Sequence, residues 1–137
     1  MGLAADIKQI LRSLVQTGNV AYDVLPDGAI PKTLASDTGA WDYGAWAEIA
    51  ASVGVADVWL VGLGFQNSSA AVDFDVDIGI GAGGSESAIG TFPIIAAVFF
   101  LPYPIKIAAG TRLAGRCRSS TAIADTIDVK CIVATGL

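Results

Sequence analysis

Histidine is absent from the 137-residue chain. With it go the Ser-His-Asp triad, the Cys-His pair and most zinc chemistry. Two cysteines, Cys117 and Cys131, fit neither a zinc site nor a disulfide-rich scaffold. Charge is also scarce: 15% of residues are charged and 53% hydrophobic, against a usual charged fraction of about 25%. So little charge covers a lone domain poorly, which points to a surface partly buried against other chains. Glu48 and Glu86, with the aspartates, are what remains for acid–base work, and nothing in their spacing sets two of them around a glycosidase-like cleft. No enzyme, no cofactor and no metal site is expected.

The charge that is present is uneven. The net charge is −5, yet residues 1–105 hold three basic and eleven acidic side chains, and residues 106–137 hold five basic and two acidic. An acidic chain with no basic cluster beyond Arg112, Arg116 and Arg118 is a poor nucleic-acid binder. Ser87 to Ile105 is free of charge, but Gly90, Pro93, Pro102 and Pro104 interrupt it, so it does not read as a membrane helix. Asp6, Lys8 and Arg12 break the N-terminal apolar run before a secretory signal can form. The expectation is a soluble chain made in a cytoplasm, with no nucleic-acid or membrane partner.

What is there is period-two alternation. Val72 to Gly81 alternates apolar residues with Asp73, Asp75 and Asp77, and Thr111 to Arg118 and Thr126 to Val133 repeat the pattern. Each is the mark of a strand with one face on a core. Strands are expected at 46–53, 57–66, 72–80, 87–92, 95–101, 103–108, 111–118 and 126–134, separated by Gly/Ser/Asn-rich loops. Seven or eight short strands indicate an all-β fold, most simply an antiparallel jelly-roll β-sandwich over residues 41–137. Leu3, Ile7, Ile10, Leu11, Leu14 and Val15 recur at helical spacing ahead of Gly18-Asn19. Leu3, Ile7, Ile10 and Leu14 also fit two heptads of a coiled-coil seam. Residues 1–40 therefore read as a short N-terminal helix and an extended arm, the stretch from Asn19 to Gly44 being a Pro- and Gly-bearing connector.

The individual motifs are modest. Gly79 to Gly84 fits G-x-G-x-x-G, but Gly90 and Pro93 cut short the helix that a dinucleotide needs, so a hairpin loop is expected. Asp73, Asp75 and Asp77 share one face, and the apolar residues between them demand a strand rather than a calcium loop. Arg112, Arg116 and Arg118 also share a phase, and cross-strand pairing would relieve the three adjacent negative charges. Trp41, Tyr43 and Trp46 either form a stacking platform for a sugar or plug the sandwich end. Cys117 and Cys131 fall on inward phases, either as buried thiols or as a bridge if they face each other. Phe99 and Phe100 are adjacent in a strand, so one of them must point outward and becomes a candidate interface anchor.

The order of an N-terminal arm, Trp41-Asp42-Tyr43-Gly44-Ala45-Trp46, Asp77-Ile78-Gly79 with its Gly-rich turn, and Pro104 to Ala114 resembles the small jelly-roll virion proteins of tailed bacteriophages, among them capsid cement or decoration proteins. The resemblance implies a homo-oligomer on the outer surface of a virion; a dimer is favoured, and the short Ile/Leu seam keeps a trimer open. Its partner would be the major capsid protein, and it brings no catalytic residues to carry over. A receptor- or glycan-binding module of a phage tail is the alternative that the same fold allows. The candidate interface residues are then Leu3, Ile7, Ile10, Leu14, Phe99 and Phe100.

Overall fold

The computed structural model describes residues 20–137 together with Ile7. Nine strands are formed among the described residues: β1 (Ala21–Leu25), β2 (Lys32–Ala35), β3 (Ala47–Ala50), β4 (Val58–Gln66), β5 (Phe74–Ile80), β6 (Ser87–Pro93), β7 (Val98–Ile107), β8 (Leu113–Ser119) and β9 (Thr126–Thr135). They make a two-sheet sandwich. One sheet runs β1-β9-β4-β7 with β2 also on β9, and the other runs β3-β8-β5-β6. Every pairing is antiparallel. The pairs β5–β6, β4–β7, β3–β8 and β2–β9 nest inside one another, as in one long hairpin, and β4–β9 and β5–β8 pairing then rolls that hairpin on itself.

The alternating sequences fold where they do because their apolar phase finds a second sheet. In β9, Ile127, Val129, Cys131 and Val133 point inward, and in β5 Phe74, Val76 and Ile78 do the same. With Leu34, Leu60, Leu63, Ile107 and Leu113 they form one continuous core. Burying each such Leu or Ile contributes about 1.5–3 kcal/mol relative to leaving it in water. β4 breaks its own alternation: a bulge between Leu60 and Gly62 shifts its register against both β7 and β9.

Three expectations need correction. The connector is not featureless, since Ala21–Leu25 and Lys32–Ala35 are β1 and β2, each paired with β9. Leu25 and Leu34 from that stretch are core residues, so the sheets begin well before residue 41 and removing the arm would open the core. Scattered aspartates and prolines hid these strands, in which Asp23 and Lys32 fall on the same phase as Leu25 and Leu34 and whose length is only four or five residues. Next, the two strands expected at 95–101 and 103–108 are one, β7. Pro102 and Pro104 are tolerated because β7 is an edge and bulges away from β4 between Phe100 and Ile105. Finally, nine strands rather than seven or eight are formed among the described residues. The expected N-terminal helix lies outside the described residues, apart from Ile7, which is helical.

Candidate functional site

The outer faces of the two sheets differ in kind. On the β3-β8-β5-β6 sheet the outward phase carries Asp75 and Asp77 from β5 and Arg116 and Arg118 from β8. The antiparallel register sets Asp75 opposite Arg118 and Asp77 opposite Arg116. Arg118 donates from Nε at 3.0 Å and Nη2 at 2.9 Å to Asp75 Oδ2. Arg116 donates from Nε and Nη2, both at 2.9 Å, to Asp77 Oδ2. Asp77 is only 2% exposed, and its Oδ1 accepts from Tyr43 Oη at 2.9 Å and Thr91 Oγ1 at 2.8 Å. Burial and the hydrogen bond to the Asp77 carboxylate raise the Tyr43 hydroxyl above its ordinary pKa. The carboxylate of Asp75 in turn raises that of Arg118.

Residues 41–46 lie across this face as a strap. Trp41 N–H donates to the Ser119 carbonyl at 2.7 Å, and Gly44 N–H to that of Cys117 at 3.0 Å. Trp41 takes a left-handed backbone conformation (φ 62°), uncommon for so bulky a residue. The strap threads its rings between the guanidinium groups. Arg116 lies 4.1 Å from the Tyr43 ring and 4.5 Å from that of Trp46, and Arg118 lies 4.7 Å from Tyr43 and 5.6 Å from Trp41. Gly79 gives Trp46 its seat, because a Cβ there would fall 2.6 Å from the indole. This face is thus closed by its own chain.

The expected set of charge pairs is only partly assembled. Asp73 lies just ahead of β5, level with Ser120 rather than with an arginine; its N–H donates to Ser120 Oγ at 3.2 Å and its carbonyl accepts from Ser120 N–H at 3.0 Å. Arg112 lies just ahead of β8, beyond reach of the three aspartates. It bonds instead to Glu48 Oε1 at 3.0 Å, Glu86 Oε1 at 2.9 Å and the Gly81 carbonyl at 3.1 Å. Those carboxylates raise the pKa of Arg112, and the Glu86 carboxyl is held below its ordinary value, first by backbone N–H donation and then by Arg112. Glu48 and Glu86 therefore act as a clasp tying β3 to the β5–β6 turn. Two Trp-x-Tyr and Arg-x-Arg spacings of the same period, 41/43 and 116/118, were the readable signal for the interleaved ladder.

The outer face of the β1-β9-β4-β7 sheet is different. Its outward positions include Val24, Trp59, Gly62, Gly64, Val98, Phe100 and Ile132, together with the charged Lys106, Asp128 and Lys130. Phe100 is 67% exposed and Val98 54%. Phe99 turns the other way, toward the core, with its ring 6.1 Å from Phe65 and 5.8 Å from Phe92. Gly62 is needed there, since a Cβ would come within 2.9 Å of the Phe99 carbonyl and 3.0 Å of the Phe100 ring. At the end near β2 the face dips into a cleft of about 340 Å³ whose lining includes Pro31, Gly64 and Val98 beside the polar Gln66, Asp128 and Lys130. The glycine alternation in Gly62-Leu63-Gly64-Phe65 is the sequence mark of that cleft, and sequence reading passed over it. Of the other candidate interface residues, Ile7 is 48% exposed; Leu3, Ile10 and Leu14 lie outside the described residues.

Cys117 and Cys131 are free and buried, from opposite sheets. Burial pushes both thiols up to about 12. A third polar cluster closes one end of the sandwich. Asp125 accepts from Thr121 Oγ1 at 2.5 Å, Ser119 Oγ at 2.9 Å and Ser69 Oγ at 3.3 Å, which hold its carboxyl below the ordinary value. Among the described residues no group of three or more His, Cys, Asp or Glu is arranged to hold a metal ion.

Fold and faces together define a two-sheet antiparallel β-sandwich with one strapped polar face and one mixed face on which Val98 and Phe100 are exposed. No protein-family model matches the chain, and no curated protein matches it. Among solved structures it is similar to a chain from "Structure of infectious bursal disease virus Gx strain", with TM-score 0.41 and 13% identity over 85% of this chain. The match spans 32% of that chain's length.

Proposed function

We propose that this chain is a non-enzymatic structural protein of a virion. In this reading it is a capsid cement or decoration protein that binds the outer shell of a tailed-phage head through the major capsid protein and works as a homo-oligomer. The observation that carries the reading is the pair Val98 and Phe100, two large apolar side chains exposed side by side in the outward phase of the edge strand β7. Large exposed apolar surface on a folded domain marks a protein-binding surface. The strand order supports a jelly roll: setting β1 aside, the eight strands alternate as β2-β9-β4-β7 and β3-β8-β5-β6, and double-sheet jelly rolls recur in capsid and lectin domains. That part of the argument is analogy of fold.

The glycan-binding alternative draws less support. A sugar platform needs free ring faces, and those of Tyr43 and Trp46 are taken by Arg116. The test is imaging of intact particles made with and without this chain. Added density on the outer shell, together with heads that survive heating better, is the expected result. Density confined to the tail, or none, overturns the reading.

A further inference from the structure

β7 lies at one edge of its sheet, and the bond pattern tells which of its backbone groups face outward. Phe65 N–H donates to the Ala97 carbonyl at 2.7 Å, and the register then sets Gly64 opposite Val98, Leu63 opposite Phe99 and Gly62 opposite Phe100. In an antiparallel pair, backbone groups face the neighbour at every second residue. Ala97 and Phe99 therefore turn theirs to β4, while Val98 and Phe100 turn their N–H and C=O groups away from it. No strand among the described residues lies on that side. Pro102 and Pro104, further along, have no N–H to offer. The open ladder is thus short. The chain bends at Ala96 and Ala97, proline interrupts it at 102, and between them Val98 and Phe100 each present a donor and an acceptor.

Native sheets commonly blunt a free edge with charge. The edge strands β1, β2 and β3 carry Asp23, Lys32 and Glu48. Ser87 to Ile105, which spans β6 and most of β7, carries no charge at all. β6 and β7 border the same side of the sandwich, where the Phe92 and Phe99 rings meet at 5.8 Å. In a chain of net charge −5, this is the side on which two copies meet with least repulsion. The side chains are also complementary to themselves. When β7 pairs antiparallel with β7 of another copy about a two-fold axis at Phe99, Val98 of each copy faces Phe100 of the other. Both are exposed on one face of the sheet, and an aromatic ring opposite a β-branched side chain is a favourable cross-strand pair. The same register brings Ile95, 85% exposed, level with Tyr103 of the other copy, 83% exposed. The exposed apolar side chains of this segment thus find partners in the one register that also lets Val98 and Phe100 exchange backbone hydrogen bonds in both directions.

We infer that the free edge of β7 is the self-association surface of this chain: a second copy adds its own β7 there, antiparallel, with Phe99 on the two-fold axis, so that the two sheets run on as one. The contact is isologous and uses the same edge in both copies, so it closes at a dimer. The inference deepens, and rests on, the reading of the chain as a homo-oligomeric structural protein.

Hydrogen exchange on the full-length natural chain is the first test. At a concentration where sedimentation shows a dimer, the Val98 and Phe100 amides should exchange at least about tenfold more slowly than after dilution to monomer. The Phe99 amide, turned to β4, should stay protected in both. A variant gives the second test. Phe100→Lys puts a charge on the edge, and its outward position should leave the cooperative melt in place while self-association weakens about tenfold or more. Ile123→Lys, at an exposed apolar residue in the β8–β9 loop, should leave association unchanged. A monomeric natural chain would overturn the inference. So would a dimer whose Val98 and Phe100 amides exchange as in the monomer, or one that Phe100→Lys leaves intact. Protection of both amides that persists in the monomer would assign the edge to another part of the same chain, and overturn it too. Particle imaging separates this from the functional proposal. Monomers on the outer shell would sink the inference and leave shell binding standing, whereas β7-paired dimers that ignore the shell would sink only the functional reading.

Discussion

Replacing Arg116 by alanine strips Asp77 Oδ2 of both its guanidinium donors while Tyr43 and Thr91 still hold Oδ1. The carboxylate stays buried without its cation, a loss of about 3–5 kcal/mol for a fully enclosed pair. Here the low end applies, about 3 kcal/mol, because the Arg116 side chain keeps 29% exposure and water can enter its place. The guanidinium also lies against two rings, adding about 0.5–1 kcal/mol each. The total is about 4–5 kcal/mol, a large share of the roughly 5–15 kcal/mol that holds a domain folded. Arg118→Ala should cost far less. Its partner Asp75 has a side chain 19% exposed and Arg118 itself is 33% exposed, so about 1–2 kcal/mol is expected from the screened pair and its rings. Urea unfolding measures both, provided the slope with denaturant is unchanged. Asp77→Asn added to Arg116→Ala should recover part of the loss, because a neutral amide no longer needs the cation. Equal costs for the two arginines, or an Arg116→Ala loss under about 1 kcal/mol, would refute the burial argument.

Three further outcomes are expected. Phe99→Ala should destabilise the fold by about 3 kcal/mol through the cavity it leaves, whereas Phe100→Ser should change stability by less than about 0.5 kcal/mol and weaken association instead; thermal melts and sedimentation read the two effects separately. Glu86 and Asp125 have carboxyls held below their ordinary values of 4.5 and 3.8. Their contribution to stability is therefore full above those values and lost as pH falls below them; an acid melt that does not steepen below about pH 4.5, or that Asp125→Asn leaves unaltered, contradicts this. Cys117 and Cys131 should stay unreactive toward a thiol reagent at mildly alkaline pH until the protein unfolds, because both thiols are pushed up to about 12; rapid labelling of the native chain would show that the core opens.

Much of this was legible where a single rule decides. The alternation in β5, β8 and β9 is two-faced, and burial of one phase follows from it. Phe99 and Phe100 had to part company for the same reason, although only the register says which turns outward. The limits lay where two rules compete. β1 and β2 have strand character too brief to outweigh Pro26, Gly28 and Pro31, and only their pairing with β9 makes them strands. The arginines and aspartates share phases, yet phase alone does not set register. The offset that puts Asp73 level with Ser120, and Arg112 among Glu48, Glu86 and Gly81, comes from how β5 and β8 slide together. The aromatic strap was visible as a cluster, but its guanidinium partners come from residues some seventy positions later. The open face left the faintest trace, two glycines in the outward phase of β4.

The nested pairing of strands also sets an order in time. Among the described strands, only β5 and β6 are both neighbours in sequence and partners in the sheet. Each further pair must close a longer loop, out to β2–β9, and loop closure is what makes such topologies slow to fold. The turn between β5 and β6, with Gly81 and Gly84 at positive φ and a Ser85 N–H to Ala82 carbonyl bond of 2.9 Å, is then where the chain starts. A residue with a side chain at Gly84 would slow folding, while weakening β1 or β2 would mainly hasten unfolding. The pairings of β1 and β2 with β9 are in this order the last to form and the first to be lost, so in a nascent chain Leu25 and Leu34 reach the core only once the rest of the sandwich is complete.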